Sequence, residues 1–178
     1  MDRPPIATER LTLRRPNVDD IDQIVRIVGD WEVARRLSRI PHPYRVADAH
    51  FFLEQIVPVE WVWAITLTGS NPLIGVVGLT PSETADRAEL GYWLSPDHWG
   101  RGIVTEAANA ILTFGFERSN LSLITSGYFQ DNAASGRVLE KLGFRDVGRD
   151  VRPCMATAIE VASVVMQRAR SIAAIDVL

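Results

Sequence analysis

Residues 99–107 read Trp99-Gly100-Arg101-Gly102-Ile103-Val104-Thr105-Glu106-Ala107. Two glycines follow a strand-like run, Glu89 to Leu94, and precede a long helical pattern. A loop of this kind turns several backbone N–H groups toward one anion, and the helix N-terminus behind it adds its dipole. A phosphate or pyrophosphate is the natural guest. No Gly-Lys-Ser/Thr follows the glycines, which excludes a Walker-type nucleotide loop. The plain alternative is a glycine turn that only joins strand to helix.

The elements around this loop decide the fold class. Ala107, Ala108, Ile111, Leu112 and Phe116 form the inner stripe of a helix over Val104 to Arg118. Leu121 to Phe129 is apolar and β-branched, so it reads as a buried strand. The strands on either side of that helix are expected to pair in parallel through a right-handed crossover. Upstream, Leu11 to Arg15 alternates as a strand and stops at Pro16. Asn17 caps a helix in which Val18, Ile21, Ile24, Val25 and Val28 recur, ending at Gly29. Short helices are expected over Trp31 to Ser38 and Ala47 to Ile56. Trp61 to Thr68 and Leu73 to Leu79 form an antiparallel hairpin around Gly69-Ser70-Asn71-Pro72. Downstream, Asn132 to Leu142 is a helix with Gly143 as its C-cap, and Phe144 to Gly148 and Val161 to Arg168 are the last strands. The apolar tail, 171–178, reads as a frayed helix or an oligomer contact. The result is an α+β (α/β) arrangement.

At 178 residues the chain is expected to be one domain, with a core over about 8–168 and a tail over 169–178. The net charge of −3 offers no basic field for holding nucleic acid. Cys154 is the only cysteine, which rules out an internal disulfide or a multi-cysteine zinc site. His42, His50 and His98 lack metal-binding spacing, so no metal is expected. The first residues lack the apolar core of a signal peptide and no apolar run approaches a membrane span, so the expectation is a cytoplasmic protein with no membrane partner.

Several segments together resemble one family. Ala88-Glu89-Leu90-Gly91-Tyr92-Trp93-Leu94, the Trp99 to Gly102 loop, Thr105 to Ala107, Asn132-Ala133-Ala134-Ser135 and Val138 to Phe144 are similar to the GNAT acetyltransferase superfamily. The opening Thr8 to Arg14, Trp31 to Leu37 and the Pro41-His42-Pro43-Tyr44 segment resemble its RimJ/RimL-like branch, the ribosomal-protein N-terminal acetyltransferases. The resemblance implies a GNAT fold: a mixed, mostly antiparallel sheet of about seven strands flanked by about four helices. It also implies acetyl-coenzyme A as co-substrate and a primary amine as acceptor, either a protein N-terminus or a small molecule. Attack would be direct, in a ternary complex, by a monomer or homodimer. A GNAT-shaped module that only binds or senses coenzyme A is the alternative.

The same resemblance implies the site residues. Trp93, Leu94, His98, Trp99, Gly100, Arg101, Gly102, Ile103 and Val104 would hold the coenzyme, together with Asn132, Ser135 and Arg137. Trp99 and Val104 depart from the superfamily loop pattern, and Val104 narrows the pyrophosphate's approach. Asn132 is equally an N-cap, and Arg137 equally an exposed helix residue. Glu89 is the candidate base: an amine attacks only when neutral, and a cleft carboxylate takes its proton directly or through water. Strand alternation puts Glu89 and Trp93 on one face and Tyr92 and Leu94 on the other. The family carries a bulge near this point that would reverse the parity and aim backbone N–H groups at the thioester oxygen. Many relatives place a tyrosine where this chain has Leu139, so Ser135, Tyr92 or a water would serve the leaving thiolate. Trp31, Arg39, His42 and Tyr44 lie in the segment that usually covers the acceptor, as substrate-binding candidates beside Glu89, or as core and groove wall.

Overall fold

Strand alternation and helical stripes in the sequence become one two-faced sheet. In the computed structural model, which describes residues 3–171, eight strands are found among the described residues. They are β1 (Ile6–Ala7), β2 (Leu11–Arg14), β3 (Trp61–Leu67), β4 (Gly75–Pro81), β5 (Arg87–Leu94), β6 (Leu123–Phe129), β7 (Arg145–Cys154) and β8 (Ile159–Ala169). Their order in the sheet is β1-β2-β3-β4-β5-β6-β8-β7. All neighbours are antiparallel except β5 and β6, which the crossover makes parallel. The helices are α1 (Ile21–Val28), α2 (Trp31–Ala34), α3 (Val46–Phe51), α4 (Ile103–Thr113) and α5 (Ala133–Lys141).

The expected seven strands and four helices are therefore eight and five. The extra strand, β1, is two residues that pair with Leu13 and Thr12, too short to leave a periodic signal. β7 runs to Cys154 rather than Gly148 because it is an exposed edge strand. It carries charged residues, a register shift between Asp146 and Gly148 and a proline, the usual devices of a protected edge and poor sequence signals for a strand. The helix expected over Trp31 to Ser38 is only the single turn Trp31–Ala34, capped by the Asp30 side chain. Both α3 and α4 end in a wider π-helical turn, Phe52–Ile56 and Phe114–Arg118. The tail expectation for 172–178 lies outside the described residues.

Each sheet face has its own core. Leu11, Leu13, Trp63, Val77, Leu79 and Leu90 pack on the face covered by α4 and α5. Val62, Ala64 and Val76 pack on the opposite face with Ile24, Ile27 and Val28 of α1 and Ala49 of α3. Trp63 is fully buried, meets Phe114 edge-on at 5.0 Å and donates from Nε1 to the Pro4 carbonyl at 3.1 Å. It thus joins the centre of the sheet to the π-helical turn after α4 and to the N-terminal segment. Replacing Trp63 with Ala is expected to cost about 3–5 kcal/mol of stability. Urea denaturation checks this as a drop in midpoint at an unchanged slope.

Candidate active site

The crossover that makes β5 and β6 parallel also opens the sheet. The two strands pair only from Arg87↔Leu123 to Glu89↔Thr125, after which β6 continues on β8 alone. From Leu90 onward one edge of β5 is left without a strand. The backbone groups of Ala88, Leu90, Tyr92 and Leu94 point to that edge by alternation. Side chains occupy three of those carbonyls: Thr125 Oγ1 donates to Ala88 at 3.4 Å, Ser126 Oγ to Leu90 at 2.9 Å, and Trp99 Nε1 to Leu94 at 2.9 Å. Among the described residues the Tyr92 carbonyl receives none, so Tyr92 offers both its N–H and its C=O to the open cleft. Pairing between β4 and β5 runs unbroken from Gly75↔Leu94 to Pro81↔Ala88. The expected bulge is absent from this register, and the simple parity holds. Tyr92, Leu90 and Leu94 pack on the α4/α5 face, and Trp93 packs on the α1/α3 face.

Beyond Leu94 the chain turns through Pro96–His98 into the glycine loop. Gly100 and Gly102 both have φ of 74°, a left-handed backbone that disfavours a side chain. Among the described residues the N–H groups of Gly100, Arg101 and Gly102 donate to no backbone carbonyl. The first turn of α4 adds free donors of its own. Both ends of the loop are pinned. Trp99 anchors its start on Leu94, with the Arg36 guanidinium 5.1 Å from the indole. Arg10 holds its end through the Arg101 carbonyl at 3.1 Å and Glu106 at 2.6 Å. Glu106 also accepts from Thr8 Oγ1 at 2.6 Å and from the Arg10 N–H at 2.9 Å. Burial works to raise the Glu106 carboxyl, but these hydrogen bonds outweigh it and hold the group below its ordinary value. Ile103 is buried in the core and Val104 packs half-buried beside it. A shallow hollow of about 440 Å³ lies next to the loop, lined by Gly102, Thr105, Glu106, Asn109, Lys141 and Leu142.

On the α5 side of the cleft, the hydroxyls of Tyr92 and Ser135 are 2.6 Å apart. The Asn132 side chain caps α5 by accepting from the Ser135 N–H at 3.3 Å. Burial, reinforced by the neighbouring Tyr128, pushes the Tyr92 hydroxyl up to about 12 despite its bond to Ser135. Leu139 is wholly buried in the core and does not reach the cleft. Tyr128 lies against Gly136, where an added Cβ would come 2.8 Å from the phenol oxygen. Arg137 is exposed on the outer side of α5.

Across the strand from Tyr92, Glu89 is paired with Arg152 of β7. The guanidinium lies on Gly127 of β6, where an added Cβ would come 2.7 Å from Cζ. The pair therefore spans the point at which β5 and β6 part. Thr80 stands opposite Glu89 in register. Its hydroxyl donates to Glu60 at 2.8 Å, and Arg39 bonds the same carboxylate at 2.8 Å. The hydrogen bond that Arg39 donates to Glu60, with added attraction from Glu60 and Glu89, raises the Arg39 guanidinium above its ordinary value.

The other expected acceptor residues divide. Trp31 and His42 are exposed and stack edge-on at 5.1 Å. Tyr44 is instead buried in the α1/α3 core, and burial pushes its hydroxyl upward. His98 keeps its Nδ1 buried without a hydrogen-bond partner among the described residues. Cys154 is buried, with its thiol 3.7 Å from the Arg35 carbonyl. Arg10, Glu60, Thr80 and Arg152 are the site residues that sequence reasoning missed. Parity opposite Glu89 could have flagged Thr80. Arg152 sits on a strand segment read as loop, and nothing local marks it.

The open edge at Tyr92 beside a loop of free N–H groups fits an elongated ligand with an amide-bearing arm and an anionic end, which is the chemistry of a coenzyme A thioester. Comparison with known proteins agrees. The acetyltransferase (GNAT) domain family matches residues 10–145. The uncharacterized N-acetyltransferase YnaD of Bacillus subtilis is 38% identical over 145 residues, covering 80% of this chain and 84% of the relative. The uncharacterized N-acetyltransferase p20 of Bacillus licheniformis is 29% identical over 164 residues, covering 88% and 92%. In three dimensions the ribosomal-protein-S5-alanine acetyltransferase of Vibrio fischeri superposes with a TM-score of 0.80 at 19% identity, covering 94% of this chain and 97% of the other. The chain belongs to the GNAT family, on its RimJ/RimL-like side, and is an acetyl-CoA-dependent acetyltransferase that acts on amines.

Proposed function

We propose that the enzyme acetylates a primary amine by direct attack within a ternary complex, with Glu89 as base and Tyr92 as donor to the leaving group. One observation carries the reading. The single open strand β5 presents a carboxylate on one face, a phenol on the other, and the free backbone groups of Tyr92 between them. The thioester supplies an activated acyl carbon. The Tyr92 backbone pairs with the pantetheine arm and, through its N–H, polarises the thioester oxygen. The N–H groups of Gly100 to Gly102 and the start of α4 take the pyrophosphate. Lys141 lines the hollow beside the loop, and Arg10 bonds the Arg101 carbonyl within it.

Glu89 accepts the ammonium proton, directly or through water, so that the nitrogen can form its bond to the acyl carbon as the C–S bond breaks. Tyr92 then hydrogen-bonds the departing sulfur. A phenol that keeps its proton to about 12 is a weaker acid than a thiol near ~8.5. Tyr92 therefore stabilises the thiolate as a hydrogen-bond donor, with Ser135 orienting its hydroxyl, and solvent completes the protonation. This assigns the role of the tyrosine absent at Leu139 to a hydroxyl arriving from β5. Both a peptide N-terminus, as the Vibrio fischeri enzyme's name suggests for that protein, and a small amine fit the reaction. The 8–168 core is read as one catalytic domain, acting in the cytoplasm as a monomer or homodimer.

Glu89→Gln is expected to lower kcat/KM about a hundredfold and flatten its acid limb, with coenzyme A affinity by calorimetry within about twofold of the parent. An unchanged pH profile would remove Glu89 as base. Tyr92→Phe is expected to lower kcat about tenfold or more. Because the Tyr92 proton is held to about 12, the parent enzyme should show no tyrosine-linked loss of rate below about pH 10. Gly102→Val forces a side chain onto a φ of 74° and should weaken coenzyme A binding by about tenfold or more. Coenzyme A binding without release of thiol across a broad amine panel would favour the sensing module instead.

A further inference from the structure

We infer that the acceptor is an amine carrying an anionic group a few bonds from its nitrogen, of the α-amino acid type, and not a polyamine or other polycation. The inference rests on the acceptor lying at Glu89, as proposed above. Around that carboxylate the open face presents two guanidiniums. Arg152 is bound to Glu89 directly. Arg39 lies near enough to feel the Glu89 charge, its Nη2 3.3 Å from the hydroxyl of Thr80, the residue opposite Glu89 in register. A backbone bond from Met155 to Ser38, 3.1 Å long, ties the β7–β8 hairpin to the segment that carries Arg39. The two cations are thus held on one frame, flanking one carboxylate.

The remaining carboxylates do not cancel this arrangement. Glu60 is only 9% exposed and is spent on Arg39 and Thr80, so it fixes Arg39 while leaving that guanidinium side chain 65% exposed. Asp150 lies 4.0 Å from Arg152 Nε and is more than half exposed, where solvent screens its attraction. Gly127, with no side chain, leaves room for the Arg152 guanidinium in this position.

An ammonium that reaches Glu89 competes with Arg152 for the carboxylate, whose second oxygen has no partner among the described residues. A simple amine or polyamine would set a second positive charge beside that guanidinium with the one carboxylate to share, an unfavourable arrangement in a partly buried cleft. An acceptor with its own carboxylate exchanges partners instead: its ammonium takes Glu89 and its carboxylate takes Arg152 and Arg39. Every charge stays paired, and the planar guanidinium suits a carboxylate in two-point contact.

The test measures thiol release by the wild-type enzyme with acetyl-coenzyme A and matched acceptors: leucine against leucinamide, O-phosphoethanolamine against ethanolamine, and spermidine. The anionic member of at least one pair should be favoured about tenfold or more in kcat/KM. This would hold even though the amine of the amide loses its proton more easily. The pair that shows the preference tells a carboxylate from a phosphate. Arg152→Met should bring the ratio close to one. Arg39→Lys, which keeps a cation on Glu60, should reduce it in part. Equal or better turnover of leucinamide, ethanolamine and spermidine overturns the inference, as does a failure to turn over either anionic amine. If Glu89→Gln keeps both the acceptor ratio and the parent pH profile, Glu89 is not the base but the acceptor class stands.

Discussion

The parting of β5 from β6 after Glu89 is the constraint on which this molecule depends. A parallel pair needs a crossover, and the crossover here is α4 with its glycine loop. Two side chains, from Ser126 and Trp99, satisfy the carbonyls of Leu90 and Leu94 that the parting exposes on either side of Tyr92. Among the described residues the Tyr92 carbonyl receives no such hydrogen bond. An open strand edge is ordinarily a liability for aggregation. This one is five residues long, recessed between two sheet halves and closed at its far end by Trp99, so it admits an extended ligand arm more readily than a second sheet.

The first strands of the chain serve this cleft from a distance. Thr8 and Arg10 converge on Glu106 in the first turn of α4, and Arg10 continues to the Arg101 carbonyl. A bare carboxylate so close to the loop would oppose an anionic guest. Its hydrogen bonds to Thr8 and Arg10 spread that charge and bring a guanidinium beside Gly102. The N-terminal segment is therefore tied to the glycine loop and to the first turn of α4.

Much of this was legible in the sequence because it follows from local periodicity. The bounds of β5 and the parity of Glu89, Tyr92 and Trp93 come from alternation, and the unbroken β4–β5 register preserves them. The crossover likewise follows from a strand, a glycine pair and a helical stripe. What stayed hidden depends on long-range geometry. Arg152 reaches Glu89 from 63 residues away along a polar edge strand that lacks an apolar signal. Glu60 and Thr80 acquire meaning only once β3 and β4 are placed beside β5. Tyr44 stayed open between acceptor contact and core because an aromatic in that segment looks the same in sequence whether it lines a groove or fills the core, and it fills the core.

The two faces of β5 divide the chemistry by environment. Tyr92 lies against the α4/α5 core, where burial keeps a hydroxyl neutral and makes it a constant donor. Glu89 lies on the opposite face among arginines and open to solvent, where a carboxylate stays hydrated and exchangeable. Swapping the two would fail on physical grounds: a carboxylate in the Tyr92 position would be desolvated without a cation, and a phenol at Glu89 would have no attraction for an ammonium. Because adjacent faces of one strand alternate, the three-residue step from 89 to 92 is enough to move from one environment to the other. The separation of the Glu89 carboxylate from the Tyr92 hydroxyl is thus a property of the pleat, and the parting of β5 from β6 makes that pleat accessible.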